Sequence, residues 1–168
     1  YTAADGLASN WVNGVYVDGL GNLYAGTYGG GVSVYDGTTW STYTTIDGLA
    51  SDSVNSVLVD AGNVLYAATD AGLSVYDGTN WTNYDSSSGL AYDYVSCLYI
   101  DNAGVLYVGT NFDVNGGNGT LNIFDGTTWR SYPPPLFANA RIHAVTGNES
   151  DEIYVVWSSL AVAFTKNL

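Results

Sequence analysis

One motif set returns along this chain at a spacing of 41 or 42 residues, and that repeat restricts the possible folds more than any other feature. Gly6-Leu7-Ala8-Ser9 returns as Gly48-Leu49-Ala50-Ser51 and as Gly89-Leu90-Ala91-Tyr92. Val17-Asp18 returns as Val59-Asp60 and Ile100-Asp101. Leu23-Tyr24-Ala25-Gly26-Thr27 returns as Leu65-Tyr66-Ala67-Ala68-Thr69 and Leu106-Tyr107-Val108-Gly109-Thr110. Val34-Tyr35-Asp36-Gly37-Thr38-Thr39-Trp40 returns at Val75 to Trp81 and again at Ile123 to Trp129. Seven extra residues lie between Thr110 and Leu121. A fourth, eroded copy runs from about Ser131. There Ile153-Tyr154-Val155-Val156-Trp157 matches Leu23 to Thr27, and Ala163-Phe164 matches Val34-Tyr35. A fixed period of this length means stacked supersecondary units that bury a core only against their neighbours.

Each copy reads as four strands. Val54 to Val59 carries three adjacent apolar residues, so both of its faces are covered. Asp60 to Asn63 is a turn, because Asp, Gly and Asn accept the backbone angles it needs. Val64 to Thr69 is a second strand, and its small residue (Gly26, Ala68 or Gly109) admits a neighbouring sheet. Leu73 to Tyr76 alternates with period two, Asp77-Gly78 turns the chain, and Trp81 to Tyr84 is a half-exposed outer strand. No stretch has useful helical periodicity. The expectation is an all-β chain: a β-propeller-type array of four four-stranded antiparallel blades, the last incomplete. Residues 1–168 are expected to form a single array, with copies at about 1–41, 42–82, 83–130 and 131–168.

At these residues the chain resembles the two-component regulator propeller repeat. The resemblance rests on Gly-Leu-Ala-Ser-x-x-Val, then Val-Asp-x-x-Gly-Asn-Leu-Tyr-Ala-Gly-Thr, then Gly-Gly-Val-Ser-Val-Tyr-Asp-Gly. It covers about residues 1–130 well and 131–168 loosely. Tyr24, Tyr66, Tyr107 and Tyr154 depart from it, standing where the family often has Trp. The resemblance implies an extracytoplasmic module of the kind found in hybrid histidine kinases and in other surface and secreted proteins. It specifies a blade far better than a task. A weaker likeness to the Asp-box propellers of sialidases fails on motif spacing and on a supply of only two arginines.

Composition excludes several functions. Sixteen acidic residues against three basic ones (Arg130, Arg141 and Lys166) give a net charge of −13. Nucleic-acid binding needs a basic footprint, and an anionic membrane surface would repel this chain. No apolar run approaches the ~18 residues of a membrane span. Cys97 is the only cysteine and reads as a small buried strand residue rather than a reactive thiol. There is no methionine, even at position 1, which reads as a processed product or an excised segment.

Enzymatic constellations are thin. His143, the only histidine, stands at the position of Asn13, Asn55 and Ser96. Glu149, Asp151 and Glu152 share one turn, and Pro133-Pro134-Pro135 is a stiff connection. Gly29-Gly30-Gly31 lies between strands, so it is a hairpin turn and no phosphate cradle. The recurring aspartates (Asp18, Asp60, Asp101 and Asp36, Asp77, Asp125) read as turn caps before they read as a cation ring. The insertion from Asn111 through Asp113, Asn115 and Asn118 resembles the start of a calcium loop. Its first position is Asn, however, and its twelfth is Asn122 where a bidentate Glu belongs. No cofactor, metal or catalytic residue is therefore assigned. The expected binding surface is Trp11, Tyr28, Phe112, Asp113 and Asn115: two aromatics unmatched in other copies, plus the insertion. Sequons mark Asn80, Asn118 and Asn148 as glycosylation candidates.

Tyr1-Thr2 aligns with Tyr43-Thr44, and the fourth copy stops before its outer-strand Trp. The third strand of that copy (Ala161, Ala163, Thr165) is then an open edge able to pair with another chain. One reading is a segment of a larger propeller. Another is a four-blade ring or arc whose edge a second subunit fills, head to tail. The leading functional expectation is a non-enzymatic extracellular, cell-surface or periplasmic module that acts as a binding or assembly scaffold. Its partner is a protein, or another copy joined through a blade edge, with a glycan as a further class. The alternatives are a subunit of a surface filament or coat assembled through an open blade edge, and the ligand-sensing (glycan-sensing) part of a histidine-kinase receptor that the family resemblance implies.

Overall fold

The computed structural model describes residues 1–112, 119–133, 140–148, 152–158 and 160–165, the last of these by backbone alone. Four antiparallel sheets follow one another along the chain, each with its strands in sequence order. The first contains β1 (Val12–Val17), β2 (Leu23–Thr27), β3 (Gly31–Tyr35) and β4 (Trp40–Tyr43). The second contains β5 (Val54–Val59), β6 (Leu65–Thr69), β7 (Gly72–Tyr76) and β8 (Trp81–Tyr84). The third contains β9 (Tyr94–Ile100), β10 (Leu106–Asn111), β11 (Thr120–Phe124) and β12 (Trp129–Tyr132). The last has three strands: β13 (Ile142–Gly147), β14 (Glu152–Trp157) and β15 (Leu160–Thr165). These are the blades the repeat predicts; among the described residues the fourth has three strands. A 3₁₀ turn at Ala3–Asp5 is the one helical element among the described residues.

The chain divides into two compact units, residues 1–84 and 85–168, each holding two blades. In the first unit, Val54, Val57 and Val59 of β5 join Val32, Leu49, Leu65 and Ala67 in one buried cluster, closed by Tyr16, Tyr24 and Val34 of the first blade. Gly14 and Gly26 face each other across β1 and β2. A Cβ on Gly26 would lie 2.7 Å from Val54 Cγ1, so the second blade comes this close only because that position has no side chain. Two hydrogen bonds tie the blades: Asn13 Nδ2 donates to the Val54 carbonyl (3.0 Å) and Gly31 N to the Asp52 carbonyl (2.8 Å).

The second unit repeats this junction with other side chains. Cys97, Tyr107 and Leu121 pack on Ile142, Val145, Ile153, Val155 and Trp157. Gly109 stands where Gly26 stands, and a Cβ there would lie 2.6 Å from Ile142 Cγ2. Ser96 Oγ donates to the Ile142 carbonyl (3.0 Å), and Gly119 N to the Ala140 carbonyl (2.6 Å).

The Gly-Leu-Ala motif fastens each connecting segment to its blade. Gly6, Gly48 and Gly89 have φ of 111°, 118° and 128°, and all three lie against the outer-strand Trp40, Trp81 and Trp129. Any side chain here meets both the left-handed backbone and the indole. Leu7, Leu49 and Leu90 are buried. Ala8 N then donates to Ser33 Oγ (3.0 Å), Ala50 N to Ser74 Oγ (2.9 Å) and Ala91 N to Asn122 Oδ1 (2.9 Å).

Candidate functional site

The repeated aspartates cap turns. The Asp60 carboxylate accepts from Gly62 N (2.8 Å), Val64 N (2.9 Å) and the Tyr66 hydroxyl (3.0 Å). Asp101 accepts from Ala103 N, Val105 N and the Tyr107 hydroxyl in the same way. At Asp18, partial desolvation pulls the carboxyl upward, but bonds from Asn22, Leu20 and Tyr24 hold it below its ordinary value. This accounts for tyrosine where the family often has Trp, because the turn carboxylate needs the phenol donor. Burial, together with the Asp60 charge, pushes Tyr66 up to about 12. The second set caps the outer hairpins. Asp36 accepts from the amides and hydroxyls of Thr38 and Thr39 at 2.7–3.0 Å, which holds its carboxyl well below the usual range.

Exposed aromatic pairs at one end of a blade are the more informative feature. Trp11 precedes β1 and Tyr28 follows β2, with ring centroids 5.8 Å apart and planes at 33°. Tyr28 N donates to the Trp11 carbonyl (2.8 Å). The same bond recurs as Asp70 N to Ser53 O (3.1 Å) and Ser158 N to Arg141 O (2.9 Å). The positions are therefore equivalent, and the first blade fills them with two large rings, 72% and 55% exposed. In the third blade Phe112, just after β10, is exposed and meets the half-buried Tyr92 edge-on at 5.6 Å. Sequence reasoning missed Tyr92, although it replaces Ser9 and Ser51 of the other copies and that mismatch marked it. Such rings offer flat apolar area with a polar edge, suited to stacking on a ligand.

The other sequence candidates have different places. Asp113, Asn115 and Asn118 lie outside the described residues. Asn122, the departure from the calcium-loop pattern, is a buried anchor: its side chain donates to the Val108 carbonyl and accepts from Ala91 N and Ser131 Oγ. Asn111, at the head of that loop, brackets Ile142 with both side-chain atoms. Among the described residues no group of three or more His, Cys, Asp or Glu could hold a metal. Asn80 is exposed in the β7–β8 turn. Asn148 is exposed and donates to Glu152 Oε2 (2.7 Å). Ala161, Ala163 and Thr165 lie on β15, opposite Val156, Tyr154 and Glu152 of β14, at the edge of the three-stranded sheet. Cys97 is buried, and that burial pushes its thiol up to about 11. His143 is exposed on β13.

With this geometry the chain is an array of propeller-type blades. Residues 89–112 match the family model described as two component regulator propeller, which bears out the resemblance drawn from the repeat. The fold is that of the extracellular domain of a protein described as a hybrid two component system from B. thetaiotaomicron (TM-score 0.79, 20% identity, 99% of this chain and 23% of that one). A second B. thetaiotaomicron extracellular domain, from a one component system, aligns with TM-score 0.75 and 18% identity over 95% of this chain and 23% of its own. A streptogramin B lyase aligns with TM-score 0.66 and 11% identity over 96% of this chain and 56% of its own. The chain thus spans about a quarter of the length of the first two. No curated protein sequence matches it. Among the described residues no helix is long and apolar enough to cross a membrane.

Proposed function

We propose that this chain is a non-enzymatic extracytoplasmic binding module, the ligand-contacting portion of a larger sensor or surface propeller whose blades continue one array. Its contact residues are the Trp11–Tyr28 pair of the first unit and, separately, the Tyr92–Phe112 pair of the second, with Asp113 and Asn115 as the sequence candidates that follow Phe112. The observation that carries this reading is the Trp11–Tyr28 pair: two exposed rings at positions that are Ser53 and Asp70 in the next blade. Stacking aromatics favour a glycan or a protein segment over a small ion. The likeness to extracellular domains of two component systems supports a sensing role, and the lyase neighbour supports the fold alone.

The test is binding of the full chain to glycan and peptide arrays, followed by titration of each hit with Trp11→Ala and Phe112→Ala. Loss of at least about tenfold in affinity in either variant is expected for a contact residue. Unchanged affinity in both variants for every hit overturns the assignment of the surface.

The edge position of β15 favours a second reading, a filament or coat subunit that pairs through Ala161, Ala163 and Thr165. Electron microscopy at high protein concentration checks it, with ordered filaments expected and a stable monomer contradicting it.

A further inference from the structure

The first unit carries charge of one sign only. Residues 1–84 hold eight aspartates and no Glu, Lys, Arg or His. All three basic residues of the chain lie in the second unit. Asp18, Asp36, Asp60 and Asp77 cap the turns at one end of the two sheets. Asp5, Asp47, Asp52 and Asp70 belong to the segments at the other end, where Trp11 and Tyr28 lie. Short bonds hold these segments to the loops of the ring pair. Asn10 Oδ1 accepts from Ala3 N (2.7 Å), which fixes the turn carrying Asp5 against the residue before Trp11. Gly31 N donates to the Asp52 carbonyl (2.8 Å), which fixes Asp52 against the tip carrying Tyr28. Asp70 stands on the second blade where Tyr28 stands on the first.

The ring pair itself is one continuous surface. With centroids 5.8 Å apart the rings touch, so a ligand lies on them and not between them. The tip after β2 is one residue longer than the tip after β6, since Thr27 pairs with Gly31 and Thr69 with Gly72. A Cβ on Gly29 would meet nothing within 4 Å, so the approach to Tyr28 is open. Ile46, 95% exposed, adds apolar area at the same end. The polar side chains beside the rings serve their own loop: Asn10 Oδ1 accepts from Ala3 N, and Ser9 Oγ accepts from Trp11 N (3.2 Å).

We infer that this end of the first unit takes a basic polypeptide segment, which lays an arginine or lysine over the Trp11–Tyr28 surface. The inference deepens the proposed binding role and rests on the ring pair being a contact surface. Aromatic faces attract cations, an indole most strongly, and a guanidinium also stacks flat on a ring. A unit whose charged side chains are all negative draws in such a segment and repels anionic partners. A neutral sugar gains nothing from that charge. It also needs hydrogen-bonding side chains around the rings, and Ser9 and Asn10 spend theirs on backbone amides. A small cation alone would leave Ile46 uncovered.

Fluorescence anisotropy on the full chain tests this with a labelled arginine-bearing peptide, beside counterparts in which citrulline or glutamate replaces arginine. The arginine peptide is expected to bind saturably, at least about tenfold more tightly than the citrulline peptide, and more weakly as salt is raised. Trp11→Ala should weaken its binding at least about fivefold and Trp11→Phe by less, with folding verified by circular dichroism. Equal affinity for the arginine and citrulline peptides would overturn the inference, as would a Trp11→Ala variant that binds the arginine peptide like the parent. Spermidine that binds as tightly as the peptide would overturn the assignment to a polypeptide. A neutral oligosaccharide that binds through Trp11 while the arginine peptide does not would overturn this inference and leave the binding role standing. An arginine peptide that does not bind, with every array hit indifferent to Trp11→Ala and Phe112→Ala, would overturn both.

Discussion

Replacing Asp101 with alanine removes at least three hydrogen bonds from one turn. Its carboxylate accepts from Ala103 N at 2.8 Å, Val105 N at 2.9 Å and the Tyr107 hydroxyl at 3.2 Å. Ala103 is exposed, so water replaces its bond and little is lost there. Tyr107 is buried, and removing a charged acceptor from a buried hydroxyl costs about 1–3 kcal/mol. With the amide bonds the expected loss is about 2–4 kcal/mol, or on the order of 10 °C in melting temperature. The repeat supplies an internal control. Asp18 makes the corresponding bonds to Leu20 N, Asn22 N and Tyr24, but both Asp18 and Tyr24 are partly exposed. Asp18→Ala should therefore cost only about 1 kcal/mol. Urea unfolding followed by fluorescence and far-UV dichroism measures both, and an unchanged m-value shows that only stability moved. Equal losses in the two variants, or a loss below about 0.5 kcal/mol for Asp101→Ala, would refute the reasoning that burial of the tyrosine sets the magnitude.

Four further outcomes follow from the same geometry. Asp36, Asp77 and Asp125 are held below the ordinary 3.8 by amide and side-chain donors in their turns. Their stabilisation is complete above that value and is lost progressively as pH falls from it through the lower folded values, so urea midpoints should drop below about pH 4, and less so in the triple Asn variant. Tyr66 shifts the other way: the folded chain keeps its proton up to about 12, so stability should fall as pH rises from 10 toward that value. Tyr66→Phe should lessen that alkaline slope, to which the raised Tyr24, Tyr43 and Cys97 also contribute, as unfolding midpoints at several pH values would reveal. Gly26→Val should cost about 1–3 kcal/mol by driving methyls into Val54, measured by urea unfolding. Cys97, buried with its thiol near 11, should react with an aromatic disulfide reagent only as fast as the chain unfolds.

Much of the architecture is legible in the residues themselves. Alternating apolar residues, Asp-Gly turns and the recurring Gly-Leu-Ala motif place the strands and blades where the structure has them. The gaps have physical causes. Val12, Val15 and Val17 cannot be told from Val54, Val57 and Val59 by sequence, because exposure depends on what lies against them. Asn122 resembles a loop ligand when counted from Asn111. Counted from the repeat it matches Ser33 and Ser74, and the second register is the correct one because the linker amide of Ala91 needs an acceptor there. Of the loop-end site, Trp11, Tyr28 and Phe112 stand out as unmatched aromatics. Tyr92 is equally unmatched against Ser9 and Ser51, but its pairing with Phe112 shows only in the structure.

The central claim is that this chain binds its ligand without transforming it. Equilibrium titration of a glycan- or peptide-array hit, with mass spectrometry of the recovered ligand after prolonged incubation, tests this most directly. The account predicts saturable binding that Trp11→Ala weakens, with the ligand recovered intact. A ligand returned cleaved or eliminated, at a rate proportional to protein, would contradict it.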